Sequence, residues 1–361
     1  MAIIVLLQHV SQILLWRLFG PDSRAAITGD MAGRQAVIVF FLLSGYLITH
    51  SIRSNIVRHG SFSVREYATA RLARIYPPLI GAILLCLLVW AVLQAFGLPG
   101  GTRDYGLPGD LYLARDRFIV TAAGIGDALL MRNGLLGADG PLWTLSIEFH
   151  LYMAALIFAA PRISGFLTRA ICIAIGAAGL FLIIGPLPLA LVWFIGAAFA
   201  LWPVGRRTGL ALALAAAMPT AAILLLAPEL FGSRMDTIAG LVAMQAPAVM
   251  LAALIFAVPP RWRYSRALVR SGDYSYSLYV IHWPLLLLAL SLTQQWTQHS
   301  LWRAGLVGIG SILVILLLSM LFASVAEKPK LFARWLRGLL PKPPGEPPAL
   351  SVLAPPLRDR A

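Results

Sequence analysis

Two ionisable side chains of this 361-residue chain lie in apolar segments that would otherwise suit a lipid environment. Glu148 lies in a segment that continues to about residue 160, and His9 lies in the first apolar segment. A buried carboxylate costs several kcal/mol unless something pairs with it, so ionisable groups in a membrane mark functional sites by default. A neutral imidazole can accept a proton near neutral pH, which makes His9 a candidate base. The alternatives are a structural ion pair for Glu148 and, for His9, a core histidine bonded to a neighbouring helix.

A pair of arginines suggests a second kind of chemistry. Arg71 and Arg74 are three residues apart on one face of a helix, which we predict to be short and to lie along the cytoplasmic surface. Two guanidinium groups on one face suit a phosphate or diphosphate, because each can bind it in a bidentate fork. Anchoring to lipid headgroups is the alternative. Pro77 then indicates the start of the next membrane helix.

Two further segments place polar side chains in apolar surroundings. Ser44 and Gly45 lie in the second apolar segment, where small residues let helix backbones approach closely. A helix break that faces a substrate is the other interpretation. Tyr279 and His282 belong to a segment rich in Tyr and Ser that opens a later helix. Its aromatic residues are typical of an interfacial belt, and His282 could hydrogen-bond within the cluster.

The composition indicates that these residues are held by membrane helices. Hydrophobic residues make up 59% of the chain and charged residues 12%, with a mean hydropathy of +0.81. A soluble domain is roughly 45–50% apolar and about 25% charged. We therefore predict an all-α polytopic membrane bundle of about ten transmembrane helices, each of which needs about 20 residues to span. The helices are expected near residues 1–19, 35–52, 76–97, 141–160, 168–184, 187–203, 209–228, 236–258, 274–293 and 302–324.

The basic residues predict the topology of this bundle. With the N-terminus in the cytoplasm, 20 of the 29 Lys and Arg residues fall on the cytoplasmic side. The positive-inside rule therefore places both termini in the cytoplasm and residues 98–140, with a short helix near 117–131, on the other side. The formal net charge of +14 then reflects topology and contact with membrane lipids, and it does not indicate nucleic-acid binding.

Other features limit the domain organisation. Residues 1–16 lack the basic region that begins a cleavable signal peptide, so we expect the first helix to be retained. Cys86 and Cys172 lie in apolar runs, which argues against a disulfide framework and against a metal site. We expect one integral membrane domain over residues 1–330 and a disordered, Pro-rich cytoplasmic tail over 341–361.

Four segments carry short motifs in a fixed order, at residues 40–48, 71–77, 142–148 and 274–284. They read FFLLSGYLI, RLARIYP, LWTLSIE and YSYSLYVIHWP. Together they resemble the acyltransferase-3 family of integral membrane acyltransferases, the type that acetylates O-antigens and nodulation factors. Each motif is weak alone, and the four together are specific.

The resemblance implies a function and a donor site. It implies an O-acyltransferase of the bacterial inner membrane that moves an acyl group, normally acetyl, from acyl-CoA to a hydroxyl of a sugar, glycan or glycolipid. Acyl-CoA is the only co-substrate expected, and no metal is expected. The donor is expected to enter from the cytoplasm and to bind at the motif residues Arg71, Arg74, Tyr76 and Ser44.

The resemblance also implies catalytic roles. His9 is expected to activate the acceptor hydroxyl as a general base, or to be acylated transiently. Glu148 is expected to orient or charge-stabilise that imidazole across the interface of the first and fourth helices. Further candidate site residues are Trp143, Tyr279 and His282.

The chain departs from the family pattern at several places, among them Phe149 and Ala36, which stand where family members usually carry Glu and Gly. Family members usually carry Gln where this chain has His150, and an Arg about three turns before the helix-one His, which is absent here. Two alternatives to the enzyme therefore stay open. One is a transporter or flippase with His9 and Glu148 as a proton relay, and the other is an inactive relative.

Overall fold

The structure is a computed structural model. It describes residues 1–20, 23–105, 117–132, 134–135, 137–183, 187–202, 205–226, 245–247, 249–251, 253–254 and 272–339. These residues form helices and their connections, and no strand occurs among them. The expected tail at 341–361 and most of the expected helix at 236–258 lie outside them.

The described helices are α1 (Ala2–Phe19), α2 (Arg24–His59), α3 (Val64–Ala95), α4 (Ala122–Leu129), α5 (Leu142–Ala159), α6 (Phe166–Leu182), α7 (Leu187–Leu201), α8 (Arg206–Leu226), α9 (Ser275–Thr297), α10 (Leu301–Ala326) and α11 (Pro329–Leu339). Helix α1 contains a π-helical turn over Ser11–Leu15. The short helix predicted in the loop at 98–140 is α4.

Six of the described helical stretches are long and apolar enough to cross a membrane. They are α1, α2, α3, α5 with the short turn after it, α9, and α10 with α11. Helices α6 and α7 are apolar but shorter. The all-α membrane fold is therefore confirmed, whereas the expected count of about ten spanning helices is not.

Helices α2 and α3 are longer than the apolar segments predicted. Each begins at a serine whose hydroxyl caps the first turn: Ser23 accepts a hydrogen bond from Ala26 N, and Ser63 accepts one from Glu66 N. The second cap starts α3 twelve residues ahead of the expected position, so Pro77 and Pro78 lie inside one continuous helix. The prediction of a separate surface helix for the arginine pair was therefore wrong.

Close backbone contact joins α2 to α7. A side chain at Gly45 would collide with the carbonyl oxygen of Trp193, and a side chain at Gly196 would collide with the carbonyl oxygen of Leu42. Glycine at both crossing positions is what allows this approach, as small residues do in membrane helix pairs. The packing interpretation of Gly45 therefore holds.

Helix α1 lies against α2, α9 and α10, and α9 also contacts α3. The carboxylate of Glu327, at the end of α10, accepts a hydrogen bond of 2.7 Å from Ser277 N in the first turn of α9. This contact supplies an acceptor to a free helix N-terminus. It therefore fixes the start of the helix that carries the 274–284 motif.

Candidate active site

Two cavities meet inside the helix bundle. The histidine cavity, of about 160 Å³, contains His9 and Trp143. The arginine cavity, of about 320 Å³, contains the two arginines of α3 and Glu148. Four residues line both cavities and form what we call the partition: Val5, Val37, Thr144 and Tyr279. Residues that are distant in sequence are thus collected at two adjoining sites.

A hydrogen bond joins the two histidines of the motif segments. His9 Nδ1 lies 2.7 Å from His282 Nε2, and His282 is fully buried. His282 Nδ1 lies 2.8 Å from the carbonyl oxygen of Tyr279 and 3.1 Å from that of Leu278. A carbonyl only accepts, so His282 carries its proton on Nδ1, and its Nε2 accepts the proton of His9 Nδ1. The remaining nitrogen of His9, Nε2, therefore has a free lone pair.

Trp283 and a polar chain surround His9. The Trp283 ring meets the His9 ring edge-on, with centroids 4.8 Å apart. Across the cavity, Asp30 accepts a hydrogen bond of 2.6 Å from Arg34 and one of 3.4 Å from Gln8. His9 thus faces a cavity that offers donors and acceptors together with aromatic rings.

Hydrogen bonds and ring contacts position the charged side chains of the arginine cavity. Glu148 is buried and accepts a hydrogen bond from the Tyr152 hydroxyl. Arg71 donates to Ser51 at 2.7 Å, and its guanidinium lies 5.4 Å from the centre of the Tyr152 ring. Arg74 also lines the cavity. The arrangement offers two cations and one anion, which suits a phosphate-bearing ligand.

Ser44 and Gly45, for which the sequence left two interpretations open, face different neighbours. Ser44 is buried and lines the arginine cavity, whereas Gly45 contacts α7. Because adjacent residues of a helix point about 100° apart, one can face a cavity while the next packs against a neighbour. Gly45 thus packs against α7 and Ser44 faces a cavity, while α2 continues through both residues without the break that the other interpretation expected.

The expected contact between His9 and Glu148 is replaced by other contacts. The two residues line different cavities, and the hydrogen-bonding partner of His9 is His282. Tyr76 lies apart from both cavities, where its hydroxyl donates to Leu129 O at 3.0 Å. Trp143 lines the histidine cavity, and Tyr279 lines both.

Four polar residues of the histidine cavity were not predicted from the sequence. They form two pairs spaced four residues apart in apolar helices, which places each pair on one helix face. That spacing was the available signal. The pairs are Gln8 with Gln12 and Asp30 with Arg34.

Asp139 lies just before α5, outside the membrane-spanning segments. Its side chain is fully buried, and neither carboxyl oxygen has a hydrogen-bond partner among the described residues. Burial raises the pKa of this carboxyl well above its usual range. The next two residues, Gly140 and Pro141, line the histidine cavity. Burial therefore favours the protonated form of Asp139, which lies behind the wall of that cavity.

No cluster of three His, Cys, Asp or Glu side chains that could hold a metal ion occurs in the part of the chain that the structure describes. We therefore assign no residue to a metal. The polar groups of both cavities are instead suited to organic ligands with hydroxyl or phosphate groups.

Comparison with protein-family profiles identifies the family of this chain. No curated protein and no solved structure gave a significant match. The profile of the acyltransferase-3 family, described as an acyltransferase domain, matches residues 1–320. That range includes all four motifs and every residue of the histidine pair and the arginine cavity. The chain therefore belongs to the acyltransferase-3 family and is a membrane acyltransferase.

Proposed function

We propose that this enzyme transfers an acyl group, acetyl as the typical case, from acyl-CoA to a hydroxyl of a carbohydrate or glycolipid acceptor. The observation that carries the proposal is the bond between His9 and His282. It leaves His9 Nε2 free to accept a proton in a cavity that adjoins a basic one. A general base of this kind contributes about 10²–10⁴-fold to a rate.

The arginine cavity is proposed to hold the CoA donor. Arg71 and Arg74 can bind phosphate oxygens by charge-assisted hydrogen bonds. Glu148 lies within electrostatic reach of both guanidinium groups. We therefore assign Glu148 to holding the arginines in place, in contrast to the expected role as partner of the base. Ser44 is proposed to contact the donor from α2.

The histidine cavity is proposed to hold the acceptor. Gln8, Asp30 and Arg34 offer hydrogen-bond donors and acceptors to sugar hydroxyls, and Trp143 and Trp283 offer flat apolar faces to a sugar ring. The cavity combines apolar walls with a few polar groups, which is the general form of a site for a small organic ligand.

The reaction follows from the free nitrogen of His9. The acceptor hydroxyl gives its proton to Nε2, and its oxygen attacks the acyl carbonyl carbon. The carbon–sulfur bond then breaks, and the proton passes from His9 to the leaving thiolate of CoA. Positive charge appears on His9 during the attack, and the His282 lone pair stabilises it. Transient acylation of His9 Nε2, with CoA leaving first, would use the same free nitrogen.

The proposed orientation follows the basic residues. Met1 lines the arginine cavity, so the cytoplasmic N-terminus that we predict puts the CoA site on the cytoplasmic side of a bacterial inner membrane. The acceptor cavity then lies deeper, beyond the partition.

The test measures CoA thiol release by the purified full-length protein with acetyl-CoA and candidate sugars, with mass spectrometry of the products. We expect thiol release that rises with the acceptor and yields an acetylated sugar. His9→Ala should lower the rate of release by about 10²–10⁴-fold and keep CoA binding. Replacing Arg71 and Arg74 by Ala should weaken CoA binding by about 1.5–3 kcal/mol per lost charged contact.

The matched control is His150→Gln, because His150 is half-buried against Phe149 and lines neither cavity. This variant should keep the wild-type rate. Loss of activity in His150→Gln with retention in His9→Ala would show that the wrong histidine was chosen. Unchanged CoA affinity in the double arginine variant would remove the arginine cavity from the donor site.

A further inference from the structure

Tyr279 stands between the two cavities. Its side chain belongs to the partition together with Thr144 of α5, Val5 of α1 and Val37 of α2. Three of these residues are small, and Tyr279 provides the only ring of the partition. Tyr279 is therefore the largest side chain that lines both cavities.

The Tyr279 ring is held in place from two directions. Its hydroxyl lies 2.6 Å from Thr144 Oγ1 and donates to Pro141 O at 3.2 Å. Phe40, which lines the arginine cavity, lies parallel to the ring with centroids 6.3 Å apart. These contacts hold the ring in place, because swinging the side chain away would break the hydrogen bonds of its hydroxyl.

We infer that the Tyr279 side chain limits the length of the acyl group that this enzyme transfers. The inference rests on the proposed function, in which the thioester reaches His9 from the arginine cavity. An acetyl group has no chain beyond its methyl group, so its carbonyl can approach His9 while the ring stays in place. A longer chain must occupy the space that the ring fills. Apolar pockets discriminate chain length in this way, by about 10–200-fold per methylene.

Side-chain substitution at this position leaves the base intact. The contact that orients His282 comes from the backbone carbonyl of Tyr279, at 2.8 Å from His282 Nδ1, and a side-chain change keeps that carbonyl. The length of the accepted chain can therefore change while the hydrogen bond between His9 and His282 remains. This separation makes the inference testable on an active enzyme.

The experiment compares acetyl-CoA, butyryl-CoA and hexanoyl-CoA as donors for the wild-type protein, Tyr279→Ala, Tyr279→Leu and Tyr279→Phe. The wild type should prefer acetyl-CoA. The ratio of kcat/KM for hexanoyl-CoA to that for acetyl-CoA should rise by about tenfold or more in Tyr279→Ala and rise less in Tyr279→Leu. Tyr279→Phe keeps the ring and should stay within about threefold of the wild-type ratio, since one lost neutral hydrogen bond is worth little.

The matched control is Tyr276→Ala, which removes a tyrosine that lines the arginine cavity and not the histidine cavity. It should leave the chain-length ratio near the wild-type value whatever it does to the absolute rate. CoA binding checks that each variant is folded, and Tyr279→Leu serves if the Ala variant is not.

Two failures are distinguishable. A wild type that transfers no acyl group from any of the three donors overturns the proposed function, and the inference with it. A wild type that transfers acetyl, with an unchanged ratio in Tyr279→Ala and Tyr279→Leu, overturns the inference alone. An equal rise of the ratio in Tyr276→Ala also overturns it, because the arginine cavity would then set the length.

Discussion

Replacement of His282 by Ala is the sharpest test of the proposed base. His282 accepts the proton of His9 Nδ1 over 2.7 Å, and its own proton is bonded to backbone carbonyls. Between neutral rings such a bond contributes about 0.5–1.5 kcal/mol, and when His9 becomes charged it contributes about 1.5–3 kcal/mol. Only the difference between these values accelerates the reaction.

This difference is about 1–2 kcal/mol, which corresponds to about a 5- to 30-fold loss of kcat in His282→Ala. The assay is CoA thiol release at saturating acceptor. The Michaelis constant for acyl-CoA should stay near the wild-type value, because His282 touches neither the arginines nor Glu148. His282→Gln should retain more activity than His282→Ala, since its carbonyl oxygen can accept from His9.

The combination with His9→Ala separates positioning from mere packing. If His282 acts only through His9, the double variant should be no slower than His9→Ala alone. A His282→Ala rate within about twofold of wild type would refute the charge argument, because the smallest expected loss is larger. Multiplying losses in the double variant would also refute it, since they would give His282 an independent role.

Three further changes test the fold through apparent melting temperatures of the detergent-solubilised protein. Gly45→Ala should lower the free energy of unfolding by about 1–3 kcal/mol, because the added methyl group overpacks against α7. Gly29→Ala on the same helix meets no neighbour within 4 Å and should raise the free energy of unfolding by up to about 1 kcal/mol. Equal effects of the two changes would contradict the close contact. Glu327→Ala should lower the free energy of unfolding by about 0.5–2 kcal/mol, because Ser277 N loses its acceptor. Glu327→Gln should lower it less. The reverse order would show that Glu327 does not cap α9. Burial raises the pKa of Asp139, so the folded state keeps a proton that the unfolded state releases above about pH 4. The stability of the wild type should therefore fall as pH rises toward the folded-state pKa, and Asp139→Asn should show a smaller fall. Parallel stability curves of the two proteins against pH would show that Asp139 is ionised in both states.

The sequence was informative where local chemistry determines the structure. Long apolar runs predicted membrane helices, and His9, Glu148 and the arginine pair lie at the two cavities. The start of α3 was missed because the apolar pattern begins only near Pro77. The helix itself begins at a capping serine, Ser63, and runs through a polar stretch.

The hydrogen-bonding partner of His9 could not be predicted from the sequence. His9 and His282 are 273 residues apart, and their contact depends on how α1 packs against α9. Glu148 was chosen as the partner because a carboxylate beside an imidazole is a familiar pair. The structure brings a neutral ring to that place, and only the tertiary arrangement of the helices decides between the two.

The π-helical turn of α1 links the position of His9 to that of Arg17. His9 is bonded to α9 before the turn, and Arg17 donates to Thr297 of α9 after it. A π-helical turn is one extra residue inserted in an α-helix, and each α-helical residue turns the chain by about 100°. If the same residues formed a regular α-helix throughout, the part of α1 after residue 15 would rotate by about that angle, and one of the two anchors would turn away from α9. The π-helical turn therefore lets one helix make both contacts, and it couples the position of His9 to that of a distant arginine.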